Sequence, residues 1–174
     1  MERTGLLHLY YGDGKGKTTC AFGLALRCAG DGYRVRMVQF LKGGNTGEVD
    51  AMQHIPGVEI LRGKRGQKFT FQMNDEEKAQ AKADYASLLD QAFAQTDGVR
   101  LLVLDEIMAA CMTGMVEEDH LVELIQNRPE GLEVVLTGRD PSRRLLELAD
   151  YVTEMRKVRH PYDRGILARR GIEK

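Results

Sequence analysis

The sequence predicts an α/β fold, a mostly parallel central sheet of about six strands with helices on both faces. Three observations carry that prediction. Apolar runs of strand length alternate with longer amphipathic stretches of helical character along the chain. The first apolar run passes through a glycine-rich turn, Gly12-Asp13-Gly14-Lys15-Gly16-Lys17-Thr18-Thr19, directly into a helical stretch. A later apolar run, residues 99–104, ends in the carboxylate pair Asp105-Glu106. Strands that alternate with helices pair in parallel through right-handed crossovers, and ligands then bind beyond the carboxyl ends of the strands.

The elements follow in order. Residues 6–11 read as a buried strand and residues 18–30 as the first helix, stopped at Gly30-Asp31-Gly32. Residues 34–41 form the second strand, which ends in a glycine-rich loop at 42–47. A short helix over 48–54 stops before Pro56, and residues 58–61 give a third strand. The stretch 62–68 is basic and glycine-rich and leads into Phe69-Thr70-Phe71. Asn74 caps the next helix, with Glu77 at the capping-box position, and that helix runs to about Gln95. The strand over 99–106 is followed by a loop or irregular helix over 107–114 and a helix over 117–127, stopped by Pro129 and Gly131. Residues 132–137 form another strand, ending at Gly138-Arg139-Asp140. A helix from Pro141, a good first-turn residue, to Ala149 comes next. A last strand over 151–158 precedes a basic, irregular tail.

The chain of 174 residues suffices for one domain, 1–174, with no repeat, low-complexity tract or linker. Net charge is −1, which gives no bulk electrostatic case for nucleic acid or a membrane surface. No apolar stretch approaches the ~20 residues of a membrane span, and no secretory signal opens the chain. The three cysteines, Cys20, Cys28 and Cys111, form no C-x-x-C pair, which argues against a zinc site or a disulfide framework. Cys20 and Cys28 are expected as free, buried thiols in a reducing cytoplasm.

The glycine-rich turn has the chemistry of a phosphate-binding loop. Glycines allow backbone N–H groups close to an anion, the helix start adds unpaired donors, Lys17 supplies a point charge and the Thr18 hydroxyl can ligate Mg²⁺. One detail departs from the usual spacing. The position of the first glycine is held by Tyr11, so the loop is one residue short. Asp105 and Glu106 supply the carboxylates opposite Thr18, to hold a metal or position a nucleophile. Phe69 and Phe71 share one side of an extended segment and offer either a contact for a flat apolar ligand or an anchor into the core. Arg139 is placed to meet phosphate or a neighbouring carboxylate. His8 reads as a packed core or edge histidine, and the basic tail as a solvated surface or a cover for an anionic ligand.

These residues carry a family resemblance. The sequence resembles the P-loop type of corrinoid adenosyltransferase, which acts on cob(I)alamin or cob(I)yrinic acid a,c-diamide. The matching motifs are the loop Gly12 to Thr19, Ala21-Phe22-Gly23, Gln39-Phe40-Leu41-Lys42-Gly43 and Phe69-Thr70-Phe71. They continue through Leu104-Asp105-Glu106, Leu136-Thr137-Gly138-Arg139, Leu146-Glu147-Leu148-Ala149-Asp150, Val158-Arg159-His160-Pro161-Tyr162-Asp163 and Gly171-Ile172. The resemblance implies a RecA-like fold, a homodimer, and transfer of the 5′-deoxyadenosyl group of ATP to Co(I) of a corrinoid with release of triphosphate. It implies that ATP is held with its phosphates in reversed order, which accounts for the short loop. It further implies that Gly12, Asp13, Gly14, Lys15, Gly16, Lys17, Thr18 and Thr19 hold the phosphates, joined by Arg139. Thr18 and Glu106, with Asp105 adjacent, would hold Mg²⁺ or Mn²⁺. Phe69 and Phe71 would pack under the corrin, exclude its lower axial ligand and ease reduction of Co(II). A flavoprotein reductase is the partner suggested for that reduction. Known members have Trp at the Phe71 position and Asn at the Asp13 position. Some carry an N-terminal helix over the partner's site, where here only residues 1–5 precede the first strand.

Other classes remain. A P-loop small-molecule kinase of the thymidine-kinase type would give ADP, but its zinc-binding cysteines have no counterpart here. A RecA-type nucleic-acid ATPase would want a basic aromatic platform. A non-enzymatic nucleotide-binding module leaves Asp105, Glu106, Phe69 and Phe71 unexplained.

Overall fold

The structure is a computed structural model that describes residues 4–42, 44, 46–63 and 72–173. Phe69 and Phe71 lie outside the described residues. Six strands form one sheet: β1 (Leu7–Tyr11), β2 (Arg34–Gln39), β3 (Val58–Arg62), β4 (Val99–Asp105), β5 (Glu133–Thr137) and β6 (Tyr151–Glu154). Their spatial order is β3-β2-β4-β5-β1-β6 and every pairing is parallel. The expected α/β class is therefore observed, with a sheet that is wholly parallel. The helices are α1 (Lys17–Gly30), α2 (Gly47–Met52), α3 (Asp75–Phe93), α4 (Ile107–Met112), α5 (Glu118–Gln126) and α6 (Arg143–Leu148).

The two-residue period of the strands divides the core between the two faces. In β4, Leu101 and Val103 face α1, where Ala21, Phe22, Ala25 and Ala29 pack. Leu102 and Leu104 face the opposite side, against Leu88 and Leu89 of α3 and Leu121 and Ile125 of α5. Both layers are needed because parallel strands are apolar on both faces. Arg36 is a buried exception, 5% exposed. Its guanidinium pairs with Glu59 at 2.7 Å and donates to the carbonyls of Gln91 and Ala92, both at 3.1 Å, so it satisfies the carbonyl end of α3. At the other end of α3 the expected capping box forms: Asn74 accepts from the Glu77 N–H at 2.8 Å, and Glu77 accepts from the Asn74 N–H at 3.0 Å.

Several element ends differ from expectation. Pro141 stands outside α6, whose N-cap is Ser142, with its hydroxyl accepting from the Leu145 N–H at 3.2 Å. The last strand stops at Glu154 rather than running to residue 158, because beyond it the chain leaves the sheet to follow the glycine-rich loop. The tail holds a short 3₁₀ helix, Pro161–Arg164. Cys20 is exposed and Cys28 half-buried, against the expectation of two buried thiols, because both sit at the margin of the alanine-lined face of α1, with Cys28 packed against its edge.

The thiols should differ in reactivity. Burial pushes the Cys111 thiol up to about 12, with Glu118 and Glu117 adding to the shift. At pH 8 an ordinary thiol is roughly a quarter thiolate, the reactive form, whereas Cys111 stays protonated. Iodoacetamide should therefore alkylate Cys20 at least ~10-fold faster than Cys111 in the folded protein. Peptide mass mapping over time checks this, and equal rates would contradict the described burial.

Candidate active site

Parallel strands end at the same rim, and this places Tyr11, Gln39, Asp105 and Thr137 side by side. From that rim the glycine-rich loop rises between β1 and α1. The chain after β6 straps it down: Met155 N–H donates to Tyr11 O at 2.7 Å, Gly14 N–H donates to Met155 O at 2.6 Å and Lys157 N–H donates to Asp13 Oδ1 at 2.8 Å. That last bond, followed by the charges of Lys157 and Arg139, lowers the Asp13 pKa. Gly12 N–H is likewise engaged, by Arg139 O at 3.0 Å. A Cβ on Gly14 would lie 2.6 Å from Met155 O, so this glycine is required by the strap rather than by an anion. Gly16 has φ 115° and precedes α1 with no side-chain cap. The first-turn N–H groups of α1, at Lys17, Thr18 and Thr19, thus have no capping side chain, the chemistry of a helix end suited to an anion.

Asp105 is the centre of the polar network. It is fully buried and accepts from Thr18 Oγ1 at 2.8 Å and Thr137 Oγ1 at 2.7 Å on Oδ1. Its Oδ2 accepts from Lys42 Nζ at 2.6 Å and Gln39 Nε2 at 3.2 Å. Glu106 follows in a left-handed conformation, φ 63°, with its N–H donating to Thr137 Oγ1 at 2.9 Å. That turn directs the two consecutive carboxylates differently, Asp105 into the core and Glu106 toward the clefts. Lys17 Nζ donates to Gly14 O at 2.7 Å. Desolvation lowers its pKa, the charge of Glu106 opposes that shift and Arg139 reinforces it.

Two clefts meet at the loop. One, of about 370 Å³, is bounded by Asp13, Gly14, Lys15, Lys17, Glu106 and Arg139 and by the tail from His160 to Ala168. The other, of about 240 Å³, runs from Lys15, Gly16, Lys17, Thr18 and Thr19 to Lys42, Thr46 and Glu48. The tail residue Glu173 reaches both. Its hydrogen bonds to Arg169, with a contribution from Lys15, hold its carboxyl at about 2. Part of the basic tail is therefore a wall of the site and not a free surface.

Mg²⁺ needs few protein ligands when phosphate oxygens and water complete its octahedron. The donor chemistry here fits that role. Thr18 gives its proton to Asp105, so its oxygen acts as an acceptor, a position that Lys42 Nζ holds at 3.2 Å, and Glu106 borders both clefts. Thr46 Oγ1 and Gln39 Oε1 are buried without a partner among the described residues, and Thr46 borders the second cleft. No group of three or more His, Cys, Asp or Glu residues suited to a metal occurs among the described residues.

The structure thus brings the whole loop, Thr18, Asp105, Glu106 and Arg139 to one rim. It adds Lys42, Gln39, Thr137 and Glu173, which single-residue reasoning missed. A readable sign existed for three of them, a polar residue at or just past the end of an otherwise apolar strand. His8, as expected, is a packed histidine at the other end of the sheet, paired with Glu133 at 2.6 Å and stacked on Tyr151. No helix among the described residues is long and apolar enough to cross a membrane.

Known proteins match this chain along nearly its whole length. A family model described as ATP:corrinoid adenosyltransferase BtuR/CobO/CobP matches residues 3–173. A corrinoid adenosyltransferase of Pseudomonas aeruginosa is 39% identical over 174 residues, which cover 99% of this chain and 85% of that protein. The corrinoid adenosyltransferase CobA of Salmonella typhimurium is 36% identical, covering 99% of this chain and 87% of its own length. A corrinoid adenosyltransferase of Escherichia coli K12 is 33% identical, with the same two coverages. A match that spans the phosphate loop, the acidic strand end and the tail wall alike means that this chain belongs to the ATP:corrinoid adenosyltransferase BtuR/CobO/CobP family.

Proposed function

We propose that this chain transfers the 5′-deoxyadenosyl group of ATP to Co(I) of a corrinoid and releases triphosphate. The observation that carries the reading is the shortened phosphate loop facing Asp105 and Glu106 across one rim, in a chain of this family. A loop one residue short, with Gly12 and Gly14 N–H groups already engaged by backbone carbonyls, leaves fewer donors for a triphosphate than the usual loop. That favours a nucleotide held for displacement at C5′ over one held for transfer of its terminal phosphoryl group.

The bond changes need no catalytic base. The Co(I) electron pair forms the Co–C bond, the C5′–O bond breaks and its electrons leave with triphosphate. The protein's tasks are orientation and stabilisation of the leaving charge. The first-turn N–H groups of α1 and Lys17 face that charge, with Arg139 beside them. Bound through Thr18, Asp105 and Glu106, Mg²⁺ would supply further neutralisation of the phosphates. Phe69 and Phe71 are assigned to the corrin face. A homodimer and a flavoprotein reductase for Co(II) complete the reading, and the free thiols fit a cytoplasmic setting.

The test mixes the protein with MgATP and prereduced cob(I)alamin in the dark without oxygen. Adenosylcobalamin and triphosphate should form in equal amounts. ADP or phosphate without a Co–C bond would overturn the reading. Parallel runs with cobinamide and cob(I)yrinic acid a,c-diamide identify the preferred corrinoid.

A further inference from the structure

Lys42 stands in an unusual place. Its Nζ lies 2.6 Å from Asp105 Oδ2 and 3.2 Å from Thr18 Oγ1, and so bridges the two groups suited to a metal on phosphate. The Thr18 proton points to Asp105 Oδ1, so the ammonium meets the hydroxyl through its lone pair, as a metal ion would. Asp105 is 0% exposed, and among the described residues its other hydrogen-bond donors, Thr18, Thr137 and Gln39, are all neutral, so Lys42 is the cation bonded directly to it, with the Lys17 charge acting from further off. The backbone is bent to deliver this lysine. Leu41, just before it, has φ 55°, a conformation costly for a bulky side chain. Arg62 holds the next turn by donating to Lys42 O at 3.4 Å and to Gly44 O. The Lys42 side chain is 26% exposed and opens on the cleft beside Lys17 and Thr19, which gives it room to move.

We propose that Lys42 is a built-in counter-cation that competes for the divalent-metal position beside Thr18 and Asp105 and yields it when metal and nucleotide enter together. A dication and an ammonium cannot share Thr18 Oγ1 and Asp105 Oδ2, because like charges at this separation in a half-dry site repel strongly. Free metal ion therefore competes with Lys42 and binds poorly. A metal–nucleotide complex wins, because its phosphates give the displaced ammonium a new partner in the same cleft. The lysine thus selects the metal–nucleotide complex over free metal. The inference rests on the reading that Thr18 and Asp105 face the metal.

The experiment compares wild type, Lys42→Met and Lys42→Arg without nucleotide. Mn²⁺ binding is read by electron paramagnetic resonance, and thermal unfolding is followed in EDTA and in Mg²⁺. Wild type and Lys42→Arg should bind Mn²⁺ weakly and show the same Tm with and without Mg²⁺. Lys42→Met should bind Mn²⁺ at least ~10-fold tighter, since the competing charge is gone. Its Tm should fall in EDTA and recover in Mg²⁺, because the metal then neutralises Asp105. A merely structural ion pair would give the fall without the recovery. Unchanged Mn²⁺ affinity, or a Tm that Mg²⁺ does not restore, overturns the proposal. If Lys42→Met does not fold, Lys42→Gln is read in the same two ways. Wild-type adenosyl transfer, scored on its own product, is a separate observation, so failure here leaves the proposed function standing.

Discussion

Lys17→Ala is expected to lower kcat/KM for MgATP by at least ~30-fold, about 2 kcal/mol of transition-state stabilisation. The charge that develops in the proposed reaction sits on the departing triphosphate, and Lys17 is the mobile cation at the helix end assigned to it. Its ammonium donates to Gly14 O at 2.7 Å. Desolvation has already lowered its pKa, so the group is poorly hydrated and gains more from an anion than an exposed lysine would. Methionine at this position keeps the length and should lose as much as alanine, which separates charge from packing. Steady-state kinetics with prereduced corrinoid provides the check. Turnover within threefold of wild type would remove Lys17 from the leaving-group role. Because Lys17 is half-exposed at the cleft, global stability should change by less than ~0.5 kcal/mol.

Asp105→Asn is the second large effect, and it should appear in stability as well as in turnover. The carboxylate accepts four bonds, two on each oxygen. An asparagine keeps one oxygen for Thr18 and Thr137 but turns an NH₂ group toward Gln39 Nε2 and Lys42 Nζ, donor against donor. Rotating the amide only moves the conflict to the two hydroxyls. Lys42 also loses its counter-charge. Removing one partner of a buried charged network costs about 3–5 kcal/mol, and partial exposure of Lys42 reduces this to about 2–3. Urea unfolding of the nucleotide-free protein reads that loss. Turnover should fall at least ~100-fold, since both the Thr18 orientation and the metal side of the site depend on this group. A variant with wild-type stability and a normal Mg²⁺ dependence would show that Asp105 is a spectator.

The two substitutions separate two layers of the site. Lys17 acts on the ligand from a flexible stem, so its loss is kinetic. Asp105 organises side chains from α1, β2, the turn after β2 and β5, so its loss is felt before any ligand arrives. Lys42 belongs to both layers, which is why its substitution is best read with metal and without nucleotide.

Much of this was legible in the sequence because it is local. The strand–turn–helix spacing around Lys17 and Thr18, the apolar run ending at Asp105 and the Asn74–Glu77 capping box are all set by residues within a few positions of one another. The order of apolar strands and helices determined a parallel sheet, and parallel strands necessarily put their carboxyl ends on one rim. The motif order also determined the family. Tertiary structure alone decided which residue meets which across that rim. Lys42 follows a strand far from Thr18 in sequence, and only the adjacency of β2 and β4, with the left-handed turn at Leu41, brings its ammonium to Asp105. The reason for Gly14 was likewise hidden, since Met155, which crowds it, arrives from a strand at the other end of the chain. Periodicity and spacing report a residue's own element, whereas register, close approach and burial are properties of pairs of elements, and these fix the electrostatics of the site.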